Sequence, residues 1–130
     1  MKAKYSIVVP VFNEQEAIPL FYKAVVPVMD KLNEPYELIF VNDGSRDNTL
    51  NVLKELAEKD TRVKVVNFSR NFGQQAAIYA GFENAQGDAI VDIDVDLQDP
   101  VEAIPLMIEK WKQGYDVVHG KRSKRKGESF

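Results

Sequence analysis

Three aspartates, Asp92, Asp94 and Asp96, alternate with apolar residues in the second half of the chain. On a β-strand every second side chain points to the same side, so these carboxylates would face one way, about 6.6 Å apart at ~3.3 Å per residue. Like charges this close repel each other, and a divalent cation bound by oxygen would offset the repulsion. The alternative is a solvated strand end whose aspartates cap the next helix. We favour a cation site at Asp94 and Asp96, and expect Asp92 to be a buried, hydrogen-bonded carboxylate.

The segment Asn42-Asp43-Gly44-Ser45 places a carboxylate where another apolar run ends and a glycine where the backbone turns. Such a carboxylate can accept an N–H from a nucleobase, since the imide of uracil and the N1–H/N2–H edge of guanine are suitable donors. It can equally stabilise its own turn, and the residue types leave both alternatives open. After the first apolar run, Pro10, Phe12 and Glu14 place an aromatic ring and a carboxylate beside a helix start, which alone is a weak signal.

These residues follow elements that alternate regularly between strand and helix. Apolar β-branched runs predict strands at residues 5–11, 36–42, 62–68, 89–94 and 116–119. Apolar residues spaced by three and four predict helices at 15–32, 48–59, 74–84 and from about 100–103 to 114. Because no hairpin signal interrupts the alternation, the pattern predicts an α/β fold: a parallel sheet with helices on both faces. Ligands of such sheets bind beyond the carboxyl ends of the strands, where the polar residues above are found.

Composition excludes several classes of protein. The chain has 130 residues, which fits one domain, and its 45% hydrophobic and 28% charged residues exclude disordered, collagen-like and disulfide-scaffold proteins. It contains no cysteine, so thiolate nucleophiles and cysteine-bound zinc are excluded and a metal would need oxygen ligands. No apolar run approaches the ~20 residues that span a bilayer, and we expect no secretory signal.

Charge is distributed unevenly. Residues 1–120 carry 12 basic and 19 acidic side chains, whereas residues 121–130 carry five basic and one acidic. The basic tail is expected to be mobile, and it could attract phosphate groups or an anionic membrane surface. Because the rest of the chain is acidic and no aromatic residue is interleaved with the tail cations, we expect no nucleic-acid partner. His119, the only histidine, is expected to have a structural rather than a catalytic role.

Three segments, taken in order, resemble glycosyltransferase family 2. They are Val8-Val9-Pro10-Val11-Phe12-Asn13-Glu14, Val41-Asn42-Asp43-Gly44-Ser45 and Asp94-Val95-Asp96-Leu97-Gln98-Asp99-Pro100. The segment from Asn67 to Gln74 and the late Gly127-Glu128-Ser129 are similar to the polyprenyl-phosphate glycosyltransferase branch, which includes dolichol-phosphate mannose synthases and bactoprenol glucosyltransferases. The resemblance covers the whole chain, and members of the family continue well beyond this length. It implies that residues 1–120 form the donor-binding, N-terminal part of a longer enzyme.

The resemblance also implies a GT-A, Rossmann-like fold and a role for each matching residue. Asp94 and Asp96 would form a D-x-D motif that holds Mg²⁺ or Mn²⁺ against the donor diphosphate and serves catalysis. The implied nucleotide-binding residues are Pro10, Phe12, Glu14, Asp43, Gln98 and Arg122. Of these, Asp43 would meet the base and Arg122 would reach the phosphates. Two positions depart from the family pattern: Asn42 replaces the usual aspartate, and Asp92 replaces an uncharged residue.

The implied reaction is a metal-dependent, inverting transfer of a sugar from a UDP- or GDP-linked donor to a polyprenyl (bactoprenol or dolichyl) phosphate. The full-length enzyme would act at the cytoplasmic face of the membrane, and this segment would be soluble and inactive by itself. We assign no general base, because a lipid phosphate with a second pKa near ~6 is already largely ionised at neutral pH. The alternative is a non-catalytic nucleotide or nucleotide-sugar-binding module.

Overall fold

The computed structural model describes residues 2–98 and 100–114. Strands and helices alternate throughout this part of the chain. The strands are β1 (Tyr5–Val11), β2 (Tyr36–Asn42), β3 (Val63–Asn67) and β4 (Ala89–Asp92). The helices are α1 (Ala17–Asp30), α2 (Thr49–Lys59), α3 (Gln74–Asn84) and α4 (Ala103–Lys112).

The four strands form one parallel sheet in the order β3-β2-β1-β4. β1 is central: Val11 at its end pairs with Asn42 of β2, while Val8 pairs with Asp92 of β4. β4 therefore ends three residues short of the end of β1. The strands β2 and β3 lie on one side of β1, and β4 lies on the other side. The loops after β1 and β4 therefore diverge and leave a crevice at the carboxyl edge.

Helices cover both faces of the sheet, as the sequence predicts. Alternate residues of the strands point to opposite faces, and one set packs with α1, α2 and α4 in the larger core, where the rings of Phe21 and Phe40 meet edge to face. The other set packs against α3. A Cβ on Gly81 of α3 would lie 2.3 Å from Val8 Cγ1, so this helix lies directly on the sheet. Trp111 of α4 packs edge to face on Tyr5 at 6.3 Å.

A buried polar network closes the amino end of the sheet. Glu37 Oε2 accepts hydrogen bonds from Ser6 Oγ at 2.6 Å and from the backbone N–H of Gln86 at 2.7 Å. Gly87 N–H donates to Ser6 Oγ at 2.8 Å. These bonds join β1, β2 and the turn before β4, and they supply the partners that a buried carboxylate requires.

A second network surrounds Arg62 at the start of β3. Asp60 accepts hydrogen bonds from the Arg62 side chain at 2.9 and 3.0 Å and from Tyr22 Oη of α1 at 2.6 Å. The Arg62 guanidinium also contacts Asp30 and lies 4.7 Å from the centre of the Tyr36 ring. The network connects the C-terminal ends of α1 and α2 to the edge of the sheet.

The observed bounds of β1, β2 and α3 coincide with the predicted ones. β4 is shorter than predicted, since its pairing ends at Asp92 rather than at residue 94. The predicted strand at 116–119 and the basic tail at 121–130, with His119 and Arg122, lie outside the described residues. Within the described ranges, no helix is both long and apolar enough to cross a membrane.

Candidate functional site

A cavity of about 270 Å³ opens at the carboxyl edge of the sheet, at the crevice beside β1. The loops after β1, β2 and β4 and the start of α3 line it. The lining residues are Pro10, Val11, Phe12, Glu14, Asp43, Gln74, Asp94, Val95 and Asp96. This is where the topology of an open parallel sheet favours ligand binding.

Six of the residues selected from the sequence are brought together in this cavity: Pro10, Phe12, Glu14, Asp43, Asp94 and Asp96. Gln98 is not among the lining residues; its backbone N–H donates to Asp96 Oδ1 at 3.1 Å. Arg122 lies outside the described residues. The structure thus places most of the selected side chains around one space, and their individual roles remain predictions.

The three aspartates were expected to lie on one strand. They do not, because β4 ends at Asp92. The alternation of burial nevertheless continues beyond the strand: Ile93 and Val95 are 5% and 2% exposed, whereas Asp94 is half-buried and Asp96 is exposed. The buried side chains of this segment anchor it in the core and leave its carboxylates at the cavity. The spacing therefore correctly predicted the side of the segment on which Asp94 and Asp96 lie, although the predicted strand was two residues longer than the observed one.

Asp92 differs from the expectation of a buried carboxylate, since it is half-buried. β4 is the edge strand of the described sheet, whereas α3 packs on β1, the neighbour of β4, and on β2. Ile90, two residues earlier on the same face, is 37% exposed. The face of β4 that carries Asp92 is thus only partly covered, and a carboxylate there retains contact with water.

The cavity has a negative electrostatic environment. Burial, followed by the nearby charges of Asp96, Asp47 and Asp94, raises the pKa of Glu14 above its ordinary value. Within the described residues no group of three histidine, cysteine, aspartate or glutamate side chains is arranged to hold a metal ion. The donors present at Asp94 and Asp96 are carboxylate oxygens, which suit hard divalent cations such as Mg²⁺ and Mn²⁺. The residues therefore fit a cation that takes its remaining ligands from a bound molecule.

Hydrogen bonds to the loop after β2 fix the loop after β1. Asn13 adopts a positive φ of 54°, and its side-chain oxygen accepts the backbone N–H of Arg46 at 2.8 Å. Its own N–H donates to Ser45 Oγ at 2.8 Å, and Glu14 N–H donates to Thr49 Oγ1 at 3.0 Å. These bonds hold Glu14 at the cavity, while the neighbouring Phe12 ring remains 43% exposed.

Asp43 has partners that its sequence position did not reveal. Its carboxylate accepts hydrogen bonds from the N–H groups of Phe72 and Gly73, at 2.7 and 3.0 Å, and from the side-chain amide of Asn71 at 3.2 Å. The hydrogen bonds described for the Asp43 carboxylate thus join it to a loop distant in sequence and not to its own turn, which was one of the two alternatives left open above. Contact with a nucleobase remains a prediction.

Asn42, the departure from the family pattern, lies beside the cavity rather than in it. Its side-chain amide donates to Asn67 Oδ1 of β3 at 2.8 Å, and its Oδ1 accepts Ser45 N–H at 3.3 Å. The Asn42 amide therefore both donates and accepts at this position, whereas an ionised aspartate could only accept. Gln74 lines the cavity but was missed. It follows β3 by a loop, and the rule that residues after parallel strands meet at one edge could have selected it.

The fold and the crevice at its carboxyl edge are those of the GT-A class of glycosyltransferase folds. The chain belongs to Glycosyl transferase family 2, whose sequence profile matches residues 6–130. The family indicated by the motifs is thereby confirmed.

Similar proteins are consistent with this membership. The uncharacterized glycosyltransferase YkcC of Bacillus subtilis (strain 168) is 58% identical over 127 residues, covering 98% of this chain and 39% of the relative. The prophage bactoprenol glucosyl transferase homolog of Escherichia coli (strain K12) is 52% identical over 122 residues, covering 94% of this chain and 40% of the relative. The chain thus spans about two fifths of the length of these curated relatives.

A solved structure shares the fold. The mannosyltransferase PcManGT from Pyrobaculum calidifontis, in complex with GDP-Man and Mn²⁺, superposes with a TM-score of 0.68 at 21% identity. The similarity covers 85% of this chain and 32% of that protein. At this level of identity the comparison establishes the architecture alone, and it confirms the predicted GT-A, Rossmann-like α/β fold.

Proposed function

We propose that this chain binds the nucleotide-sugar donor for a metal-dependent, inverting transfer of a sugar to a polyprenyl phosphate. The observation that carries the proposal is the position of Asp94 and Asp96 in one cavity with Phe12, Glu14 and Asp43, at the crevice of the sheet. A pair of carboxylates and an exposed aromatic ring that line one cavity suit a ligand that has both a diphosphate and a base.

Asp94 and Asp96 are the residues proposed to hold Mg²⁺ or Mn²⁺, with Gln98 beside them. When bound, the cation supplies positive charge that stabilises a departing nucleoside diphosphate. Without it, the carboxylates of the cavity repel a diphosphate, so these side chains make nucleotide binding conditional on the cation. The mannosyltransferase of similar fold, solved with GDP-Man and Mn²⁺, supports this choice of ligands.

The apolar wall of the cavity is proposed to take the base. Phe12 presents an exposed ring beside Pro10, and flat apolar surfaces of this kind favour stacking with a nucleobase. Glu14 is the acceptor available for N–H or hydroxyl groups of the nucleoside, and Asp43 lines the same cavity with its carboxylate held by the loop at residues 71–73. These residues orient the donor, and uracil and guanine nucleotides both fit this set of groups.

The acceptor is proposed to be a polyprenyl phosphate, in line with the name of the bactoprenol glucosyl transferase homolog. Its ionised phosphate needs little or no general base, so none of the remaining carboxylates receives that role. In this proposal residues 1–120 form the donor domain, and the basic residues of 121–130, including Arg122, attract phosphate groups. The whole protein would work at the cytoplasmic face of the membrane.

Calorimetry tests the proposal directly. UDP and GDP are titrated into the chain with MnCl₂, with MgCl₂ and with EDTA. We expect binding of at least one nucleotide in the presence of the cation and loss of that binding in EDTA. Equal affinity with cation and with EDTA would contradict the proposed role of the aspartate pair. Binding of neither nucleotide under any condition would contradict the proposed function itself.

A further inference from the structure

The loop at residues 71–73, between β3 and α3, is docked on Asp43. The carboxylate accepts the N–H of Phe72 through Oδ1 and that of Gly73 through Oδ2. The side-chain amide of Asn71 donates both to Oδ2 and to the backbone carbonyl of Asp43, at 3.2 Å each. Because Asp43 is only 4% exposed, the loop rather than water supplies most of its hydrogen-bond donors.

Gly44 contacts the same loop in a different way. It adopts a φ of +73°, and a Cβ on it would lie 2.2 Å from the carbonyl carbon of Arg70 and 2.3 Å from the nitrogen of Asn71. These distances are far below any real contact, so the turn after β2 lies against the loop backbone only because this residue has no side chain. Two adjacent residues, one by its carboxylate and one by its missing Cβ, thus fix the position of one loop.

The loop determines where α3 begins. Gln74, the first residue of α3, lines the cavity, and its Nε2 lies 3.4 Å from Asp94 Oδ1 on the opposite wall. A shift of the loop would carry Gln74 with it, since only Gly73 separates this residue from the Phe72 N–H that Asp43 holds. The loop thereby connects Asp43, on one side of the crevice, to a carboxylate on the other.

We infer that Asp43 is a positioning residue: it holds the 71–73 loop so that Gln74 forms the cavity wall that faces Asp94. The inference rests on the proposed function in taking this cavity as the site of the nucleotide and the cation. It is distinct from a direct contact of Asp43 with the base. A direct base contact would be lost in Asp43→Asn alone, whereas a displaced wall also weakens nucleoside diphosphate binding in a variant that moves the loop and keeps the carboxylate.

Three substitutions disturb the docking by different routes. Asp43→Asn retains the shape but offers an NH₂ group in place of one oxygen, so one loop N–H loses its acceptor. Gly44→Ala retains the carboxylate and inserts a methyl group where the Arg70 backbone lies. Asn71→Ala removes one donor at an exposed position and serves if the other two substitutions prevent folding. Asp88→Asn and Gly114→Ala are matched controls, because Asp88 is exposed and a Cβ on Gly114, which has a positive φ, would have no atom of the described residues within 4 Å apart from its chain neighbours.

Two measurements read the outcome. Amide hydrogen exchange at Phe72 and Gly73 is measured by NMR, and affinities for UDP and GDP are measured with MnCl₂. We expect all three substitutions to accelerate exchange at these amides, and Asp43→Asn and Gly44→Ala to weaken whichever nucleotides bind by a similar factor, on the order of tenfold. The controls should leave both quantities unchanged.

The inference is overturned if exchange at Phe72 and Gly73 stays slow in Asp43→Asn. It is also overturned if Asp43→Asn weakens binding while Gly44→Ala and Asn71→Ala do not, or if Asp43→Asn weakens UDP and GDP by clearly different factors; both results indicate direct contact with the nucleotide. If the unsubstituted chain binds neither nucleotide, the proposed function fails, and the exchange rates alone decide whether Asp43 holds the loop.

Discussion

The hydroxyl of Ser6 donates a hydrogen bond of 2.6 Å to Glu37 Oε2, and both residues are buried between β1 and β2. The same oxygen accepts Gln86 N–H, so a single carboxylate oxygen serves two donors at the end of the sheet opposite the cavity. This arrangement predicts that the stability of the chain can be changed without changing its ligand site.

Glu37→Leu should destabilise the chain by about 2–4 kcal/mol, because it leaves the Ser6 hydroxyl and the Gln86 N–H buried without an acceptor. Glu37→Gln should cost less than half as much, since its single amide oxygen can still accept both bonds. Urea denaturation measures both, with the exposed Glu58→Gln as control. Equal losses from the two Glu37 substitutions would show that the hydrogen bonds are not the cause.

The network around Arg62 predicts a loss of stability in acid. Hydrogen bonds from Arg62 lower the pKa of Asp60 to about 2, against burial, which raises it. A folded-state pKa below the unfolded value of ~3.9 means that the stabilisation is complete above that value and disappears as pH falls towards 2. Arg62→Ala should therefore reduce the free energy of unfolding at pH 7 by about 2 kcal/mol and flatten its decline below pH 4.

Urea denaturation at pH 7, 4 and 3 tests this prediction. Arg46→Ala, which removes an exposed arginine, serves as control. A decline between pH 4 and pH 3 that is as steep in Arg62→Ala as in the unsubstituted chain would contradict the assignment to Asp60.

The aspartate pair should control cation-dependent binding. Asp94→Ala or Asp96→Ala removes a carboxylate that would hold the cation, so the difference in UDP or GDP affinity between MnCl₂ and EDTA should disappear. Calorimetry under both conditions measures this difference, and Asp88→Asn controls for the loss of one negative charge. A variant that retains the full cation effect would exclude the substituted aspartate as a ligand.

Glu14 should respond to the charges around it. Its raised pKa arises first from burial and then from Asp96, Asp47 and Asp94. Asp96→Asn should therefore lower the pKa of Glu14 part of the way to its ordinary value, leaving the parts caused by burial, Asp47 and Asp94. A pKa raised in the folded state also means that protonation of Glu14 favours folding as pH falls through that pKa.

An NMR titration of the Glu14 side-chain carboxyl carbon measures this shift, and Asp88→Asn should leave it unchanged. If Asp96→Asn leaves the Glu14 titration where it was, the two carboxylates do not interact across the cavity.

The chain by itself should bind donor weakly and transfer no sugar. Transfer requires an acceptor phosphate in line with the donor, and positioning of this kind is worth ~7–11 kcal/mol. The curated relatives are about two and a half times as long, since this chain spans about 39–40% of them. Incubation with MnCl₂, labelled UDP-glucose or GDP-mannose, and undecaprenyl or dolichyl phosphate tests this. Labelled lipid formed as fast as by a full-length relative would show that residues 1–130 contain the acceptor site.

Local signals account for the parts of the fold that the sequence predicted. The bounds of β1, β2 and α3 follow from runs of β-branched residues, helical spacing and turn residues, all of which act over a few positions. The end of β4 at Asp92 depends on its register with β1, a contact across more than 80 residues that alternation does not encode. The alternation of apolar and acidic residues did predict on which side of the segment Asp94 and Asp96 lie, because Ile93 and Val95 must reach the core.

Most residues around the cavity were predictable from the sequence, since they lie at the end of a parallel strand or follow one. The partners of Asp43 were not, because they lie 28 to 30 positions away and depend on how the loop after β3 folds back. The contact of Gly44 with the same loop was not predictable from its residue type either. A glycine after a strand predicts a sharp turn, but not that another backbone lies against it.

The packing of Trp111 on Tyr5 has an optical consequence. Trp111 is the only tryptophan of the chain, and Tyr5 begins β1, whereas the cavity lies at the end of that strand, about 20 Å away at ~3.3 Å per residue. The fluorescence of Trp111 should change when α4 separates from the sheet on unfolding, and it should stay constant when a molecule enters the cavity. Denaturation can therefore be followed by intrinsic emission in samples with and without nucleotide, and any shift in the midpoint can be attributed to ligand binding rather than to a perturbed fluorophore.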